Sequence, residues 1–335
     1  MSQVSESTSS QPASWPTMRV IKLVLVAGLF LWLGATVLSR EGWSDLSERA
    51  SSLSFLWIGA ACAAQFAAVL FGVSRWQHLL RCGGIRAPWT WLLRIFLQGR
   101  FIGAFTPSTL GLDMYRALTV TQRFDAPHDA LRFVVAEKFL SLIALGIFAA
   151  PVIMLAPPLH NQVETIGGLI AFSTLSGLGL LYLGRAERLR FATRLLPTGL
   201  RQKVDRVLLG LSEARLSKAS FGYTLVLSVA SHMLTATVFV ASALAVGIQV
   251  DEATLMFCGV ASIVASLLPI TFGGVGVREG LCLVILAPLG VSPAEVVLAG
   301  LMTFLTTQPP ALAGGLSHLL ARGKNIQDFR RTVAV

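Results

Sequence analysis

Apolar residues run along this chain in blocks too long for a water-soluble fold. Residues 20–38, 52–74, 131–156, 163–184, 220–247 and 293–320 are dominated by Leu, Val, Ile, Ala and Phe. A helix rises about 1.5 Å per residue, so roughly 20 such residues cross a hydrocarbon core about 30 Å thick. The pattern predicts transmembrane helices at these places. Two further regions, 95–118 and 253–291, are nearly as apolar but are broken by Pro and Gly.

Composition agrees with a lipid solvent. Hydrophobic residues make up 54% and charged residues 13% of the 335, against about 25% charged in a soluble domain. So few polar side chains cannot cover a water-facing surface. The net charge of +10 does not imply a nucleic-acid partner, because cytoplasmic loops of membrane proteins are enriched in Lys and Arg. Cys62, Cys82, Cys258 and Cys282 lie in or beside apolar runs without C-x-x-C spacing. They read as packing residues, and no metal or other cofactor is expected. His232 lies inside an apolar run and reads as a side chain bonding a neighbouring helix. Residues 1–18 are Ser-rich and polar, which predicts a disordered tail. They lack the basic start and cleavage site of a secretory signal, so the first apolar run is expected to be a retained anchor.

The distribution of Lys and Arg sets an orientation. Arg19 and Lys22 flank the first run, and Arg75, Arg81, Arg86 and Arg94 follow the second. The loops 157–162 and 248–252 hold no Lys or Arg, whereas 185–218 holds nine. The tail carries Arg322, Lys324, Arg330 and Arg331. These counts alternate between faces, with both termini cytoplasmic, only if 95–118 and 253–291 each return to the side they entered from. Within 185–218, Leu189, Ala192, Leu195 and Leu196, then Leu200, Val204, Leu208 and Leu211, recur at helical spacing with arginines on the other faces. That predicts amphipathic helix on the inner leaflet.

The two broken regions share a motif. Pro107–Gly111 reads PSTLG and Pro269–Gly273 reads PITFG, both P-x-T-L/F-G. An acid and an arginine follow each, Asp113 and Arg116 in the first, Arg278 and Glu279 in the second. On the charge-derived orientation the two copies enter from opposite faces, as an inverted-topology repeat requires. Non-helical backbone at membrane depth leaves N–H and C=O groups unsatisfied unless it lies inside the protein or along a wet cavity. Pro107 and Pro269 would end one half-helix, and Gly111, Gly273, Gly274 and Gly276 permit the reversal. Thr109 and Thr271 sit inside the turns. The second half-helix then starts with its N–H groups facing the break, an arrangement that favours anions. Charges at membrane depth mark functional sites, and Glu137 and Lys138 open a further apolar run. Arg116 and Arg132 are candidate partners for Glu137. The expected fold is an all-α polytopic membrane helical bundle with two re-entrant broken-helix hairpins related as an inverted repeat.

PSTLGLDMYRA, VVAEK about 20 residues on, and LLPITFGGVGVREG near the end together resemble the lysylphosphatidylglycerol synthase transmembrane region, also called flippase-like integral membrane proteins. Leu112 departs from the family's usual double glycine before the acid, and Lys138 stands where the family often has arginine. The resemblance implies a single transmembrane domain over 19–322, a short cytoplasmic tail over 323–335, and a lipid or lipid-linked substrate moved between leaflets of the inner membrane. It does not imply the aminoacyl transfer of larger members, which resides in a separate soluble domain. On this reading Arg278 and Arg116 bind a lipid phosphate, while Asp113, Glu279 and Glu137 hold the arginines and the Pro, Thr and Gly positions shape the turns. The expected partner is an anionic or phosphate-bearing membrane lipid, and beside it a lipid-modifying enzyme. Two rival readings are a polyisoprenyl-linked glycosyltransferase, against which the short outward loops count, and a non-transporting member of a lipid-synthesis complex, against which the intramembrane charges count.

Overall fold

The computed structural model describes residues 52–104, 110–124, 127–156, 217–267 and 274–320. The first apolar run, the run 163–184, the basic segment 185–218 except its last two residues, both tails and the turn residues Pro107, Thr109, Pro269, Thr271 and Gly273 lie outside them. The described residues are helical, without strands. In chain order they form α1 (Phe55–Cys82), α2 (Trp89–Ala104), α3 (Leu110–Phe124) and α4 (Pro127–Leu155). Then come α5 (Lys218–Val246), α6 (Glu252–Leu267), α7 (Val277–Leu286) and α8 (Pro293–Thr307). Beyond a bend at Gln308, α8 continues as helix over 309–320.

Local chemistry sets several of these boundaries. Ser217 accepts from the Ser220 N–H at 3.1 Å to start α5. Gly247, at φ +91°, ends it in the left-handed conformation, and the Ile248 N–H reaches back to Ala243 O at 3.0 Å. Asp251 caps α6 by accepting from the Thr254 N–H at 2.9 Å. Ser292 and Glu295 form a reciprocal capping box at the start of α8, with Pro293 in the first turn.

The helices fall into two sets of like order. α1 to α4 have 28, 16, 15 and 29 residues. α5 to α7 have 29, 16 and 10, and the helix from Pro293 to Leu320 has 28. Four helices are long and apolar enough to cross a membrane: Phe55–Cys82, Ala136–Leu155, Lys218–Val246 and Pro293–Leu320. α2 and α6, at about 24 Å each, fall short of the roughly 30 Å core. Packing repeats with the order. α1 lies on α2 and α5 on α6; α2 on α3 and α6 on α7; α3 on α4 and α7 on α8; α1 on α8 and α4 on α5. The most extensive contact is between α1 and α5 themselves. They run antiparallel: the Ser54 N–H at the start of α1 bonds Ala245 O at the end of α5.

Small residues allow these close approaches. Ala61 and Ala64 of α1 are buried with Val238 and Ala241 of α5. A second shared cluster joins Leu145, Phe148 and Val152 of α4 to Ala236 of α5 and Phe257 and Val260 of α6, and each set also has a core of its own. Trp76, Leu79, Leu92, Phe96 and Phe133 pack in the first; Phe239, Leu255, Cys258, Leu286 and Val296 in the second. Outward-facing Leu56, Val226, Val284, Leu312 and Leu319 are all at least 59% exposed, which is acceptable only where the surrounding medium is itself apolar.

Gly259 of α6 packs so tightly on α5 that an added Cβ would lie 2.6 Å from the Ala236 carbonyl oxygen, whereas at Gly222 it would meet open space. Gly259→Ala is expected to cost about 1–3 kcal/mol by overpacking, and Gly222→Ala to cost nothing, the helix propensity of Ala being the higher. Thermal unfolding of the two variants in detergent checks the contrast.

Candidate functional site

The charges predicted at membrane depth sit at the starts of the half-helices α3 and α7. Asp113 and Arg116 occupy the first two turns of α3. Leu112 beside them packs on α2, where a Cβ at Gly99 would lie 2.7 Å from its Cδ1 and one at Gly103 3.3 Å from its backbone N. The two glycines, one turn apart, let α3 fold back closely on α2.

Arg116 is 1% exposed. Its Nη2 donates to Asp113 Oδ1 at 2.6 Å and its Nη1 to Glu137 Oε2 at 3.1 Å. Its guanidinium lies 5.0 Å from the Trp76 ring and 4.9 Å from the Phe96 ring, which adds a cation–π attraction to each ring. Glu137 Oε1 accepts from Arg75 Nη2 at 2.6 Å, and Arg75 Nη1 donates to Ser228 Oγ of α5 at 3.1 Å. Lys138 Nζ, with its side chain 37% exposed, reaches Asp113 Oδ2 at 2.9 Å. Three cations and two carboxylates thus join α1, α3 and α4, and through Ser228 also α5. Arg116 and Arg75 are partners of Glu137; the side chain of Arg132 lies outside those described. One turn beyond Ser228, His232 Nε2 lies 2.9 Å from both Oγ and O of Ser141 on α4, the helix-to-helix bond expected of it.

The second pair is built differently. Gly274 and Gly276 have φ of +80° and +88°, a region open to Gly without steric cost. A Cβ at Gly274 would lie 3.0 Å from the Ser266 backbone N, so this turn rests directly on the end of α6. The Gly276 N–H donates to Glu279 Oε2, the carboxylate half of a capping box; glycine has no side chain to return the other half. Arg278 Nε and Nη2 both donate to Glu279 Oε1, the first at 3.0 Å, and Nη2 also to Gly300 O of α8 at 2.7 Å. Both residues are buried, 5% and 4% exposed.

Arg278 also opens onto a cavity of about 360 Å3 that reaches from α1 to α8, within the size range of ligand pockets. Gly103 and Ala104 at the end of α2, Ser266 at the end of α6, and Leu112 border it, so it lies where both half-helix pairs break. Its second cation is Arg100, on α2. Arg116, Asp113, Glu137 and Lys138 are not among its lining residues. The geometry therefore separates the predicted cluster in two: Asp113, Arg116, Glu137 and Lys138 close on one another, and Arg278 with Glu279 stands at the cavity.

The sequence match takes in all eight of these helices. A model of the lysylphosphatidylglycerol synthase TM region matches residues 19–314. The chain belongs to that family. No curated protein matches it. Family membership and the four long apolar helices make it an integral membrane protein that passes the bilayer several times. Two further charged residues of these sites, Arg75 and Arg100, carry no functional expectation from the apolar pattern. Arg75 belongs to α1, which runs eight residues past the predicted end of its span, and Arg100 is a lone arginine in LQGRFIGA. The signal available for Arg100 is the rule that a charge within an apolar run marks a site.

Removing one partner of a buried charge pair costs about 3–5 kcal/mol, whereas an exposed pair is worth about 1 kcal/mol or less. Glu137→Ala leaves Arg75 without a carboxylate and Arg116 with Asp113 alone, and is expected to lower the unfolding midpoint sharply; Lys138→Ala leaves it nearly unchanged. Equal losses in the two variants would remove Glu137 from the centre of the network.

Proposed function

We propose that this chain binds a membrane lipid or lipid-linked molecule in the cavity between α1 and α8 and moves it between leaflets. On this reading it is a flippase-like transporter and not an enzyme, lies in the plasma (inner) membrane, and has both termini in the cytoplasm. The observation that carries the proposal is the cavity itself. It is lined from helices of both sets, at the ends of the two half-helices α2 and α6, and Arg278 stands in it.

Several features support the reading. The matched helix lengths, the matched packing and the antiparallel α1–α5 pair are what two re-entrant hairpins related by an in-plane two-fold would produce. Alternating access then consists of rocking one set of four helices against the other around a fixed site. The ion pairs of Arg75, Asp113, Arg116 and Glu137 brace α1, α3 and α4, all of the first set, against one another. The acids Asp113, Glu137 and Glu279 are each bound to an arginine, which supports binding over acid–base chemistry. Arg278 is held on one edge by Glu279 and Gly300 and makes no bond through Nη1 among the described residues, so this edge is available to an anionic group.

In proteoliposomes, Arg278→Ala is expected to lower leaflet exchange at least tenfold while the protein still inserts and folds. Arg278→Lys should also fall, because a point-charge ammonium cannot reproduce the bidentate fork. Exchange of a fluorescent lipid panel, read by dithionite quenching, measures this. Full exchange in Arg278→Ala at equal protein density would remove the residue from the substrate path.

A further inference from the structure

The family's name points to a lysylated lipid, but the cavity has the wrong charge for one. Among the described residues, Arg100 and Arg278 are its ionisable lining residues, and no carboxylate lines it. Glu279 neutralises Arg278. Among the described residues Arg100 has no acidic partner: its one hydrogen bond is from Nη2 to Thr307 O at 3.3 Å, and its buried Nε has none. The stretches 105–109 and 268–273, which follow α2 and α6 in sequence, contain no Asp or Glu. Among the described residues, the site thus carries one positive charge that no carboxylate balances.

Its neutral polar groups have a defined sense as well. Thr235, Ser262, Ser266, Thr303 and Thr307 line the cavity, and each donates its hydroxyl proton to a carbonyl one turn back on its own helix. Each therefore offers lone pairs to a ligand. Guanidinium donors beside hydroxyl acceptors complement a headgroup that has an anionic phosphate and hydroxyls of its own.

We infer that Arg100 makes this cavity select an anionic, hydroxyl-bearing phosphate headgroup and reject the same headgroup after lysylation. The inference rests on the cavity being the substrate site. A glycerophosphate headgroup carries one negative charge. Esterified with lysine it carries two ammonium groups and is net positive. Hydroxyl lone pairs can accept from ammonium, but they bring no charge to offset the repulsion. Like charges about 7 Å apart at an effective dielectric of about 20 lose more than tenfold in affinity. Arg100 is accordingly a specificity-determining residue, distinct in task from Arg278, whose charge Glu279 balances.

The full chain, purified in neutral detergent, is titrated with dioctanoyl phosphatidylglycerol, its lysyl ester and sn-glycerol 3-phosphate, and binding is followed by thermal shift. Phosphatidylglycerol is expected to bind at least tenfold more tightly than the lysyl ester. Arg100→Gln should narrow that ratio to about twofold or less, and Arg100→Lys, which keeps the charge, should preserve it. A variant that melts at the wild-type temperature without ligand qualifies for the comparison; if Arg100→Gln does not, Arg100→Met serves in its place. Wild-type protein that prefers the lysyl ester overturns the inference and leaves a lipid-binding cavity standing. Binding of sn-glycerol 3-phosphate as tight as that of the lipid would make the ligand a soluble phosphate ester and also overturn it. Lipid binding that survives Ser262→Trp, which fills the cavity, overturns the cavity reading itself.

Discussion

A charge buried among helices is costly unless a counter-charge or a polar partner stands beside it, and much of this architecture follows from how that cost is met. Glu137 receives a guanidinium on each carboxylate oxygen, one from α1 and one from α3. Desolvating these groups costs several kcal/mol per ion, so the pairs are poor sources of net stability. What they supply is register. Arg75 can meet Glu137 and Ser228 together only when α1, α4 and α5 stand at one set of heights. The rings of Trp76 and Phe96 lie against Arg116 as well.

The two sets of helices share an order and a packing scheme but put their charges to different uses. In the first set the acid and the arginine after the turn lock α3 to α4 and α1. In the second, Arg278 and Glu279 are adjacent in sequence and pair with each other, so a single residue, Gly300, ties them to α8. A Cβ there would lie 2.4 Å from Glu279 Oε1; the glycine is what lets α8 pass so near the pair. The result is one half braced by ion pairs and one half whose guanidinium borders the cavity.

Much of this is legible in the sequence. Hydrophobic block length places the long helices, and the Pro- and Gly-broken regions mark α2–α3 and α6–α7, because 16 apolar residues are too few to span and charges follow at once. The family resemblance rests on the same stretches. The pairing of charges is less legible. Arg116 and Arg278 have equivalent places in the repeat, and nothing in a linear pattern says that one lies against Trp76 and Phe96 while the other meets a cavity. Arg75 reads as the first residue of a basic connector, since its helix continues past the apolar block on the strength of buried Trp76, Leu79 and Leu80. Arg100 is hidden for the opposite reason: an arginine in a broken apolar region looks like part of the break.

The central claim is that the two broken helices enter from opposite faces and meet at one site. After replacement of Cys62, Cys82, Cys258 and Cys282, single cysteines are placed by Thr109→Cys and Thr271→Cys and treated with an impermeant thiol reagent in vesicles of known orientation. The account predicts that Thr109→Cys is labelled from the cytoplasmic side and Thr271→Cys from the outside. Labelling of both from the same face would contradict it, because one broken region would then be a true span and the two halves would not be inverted copies.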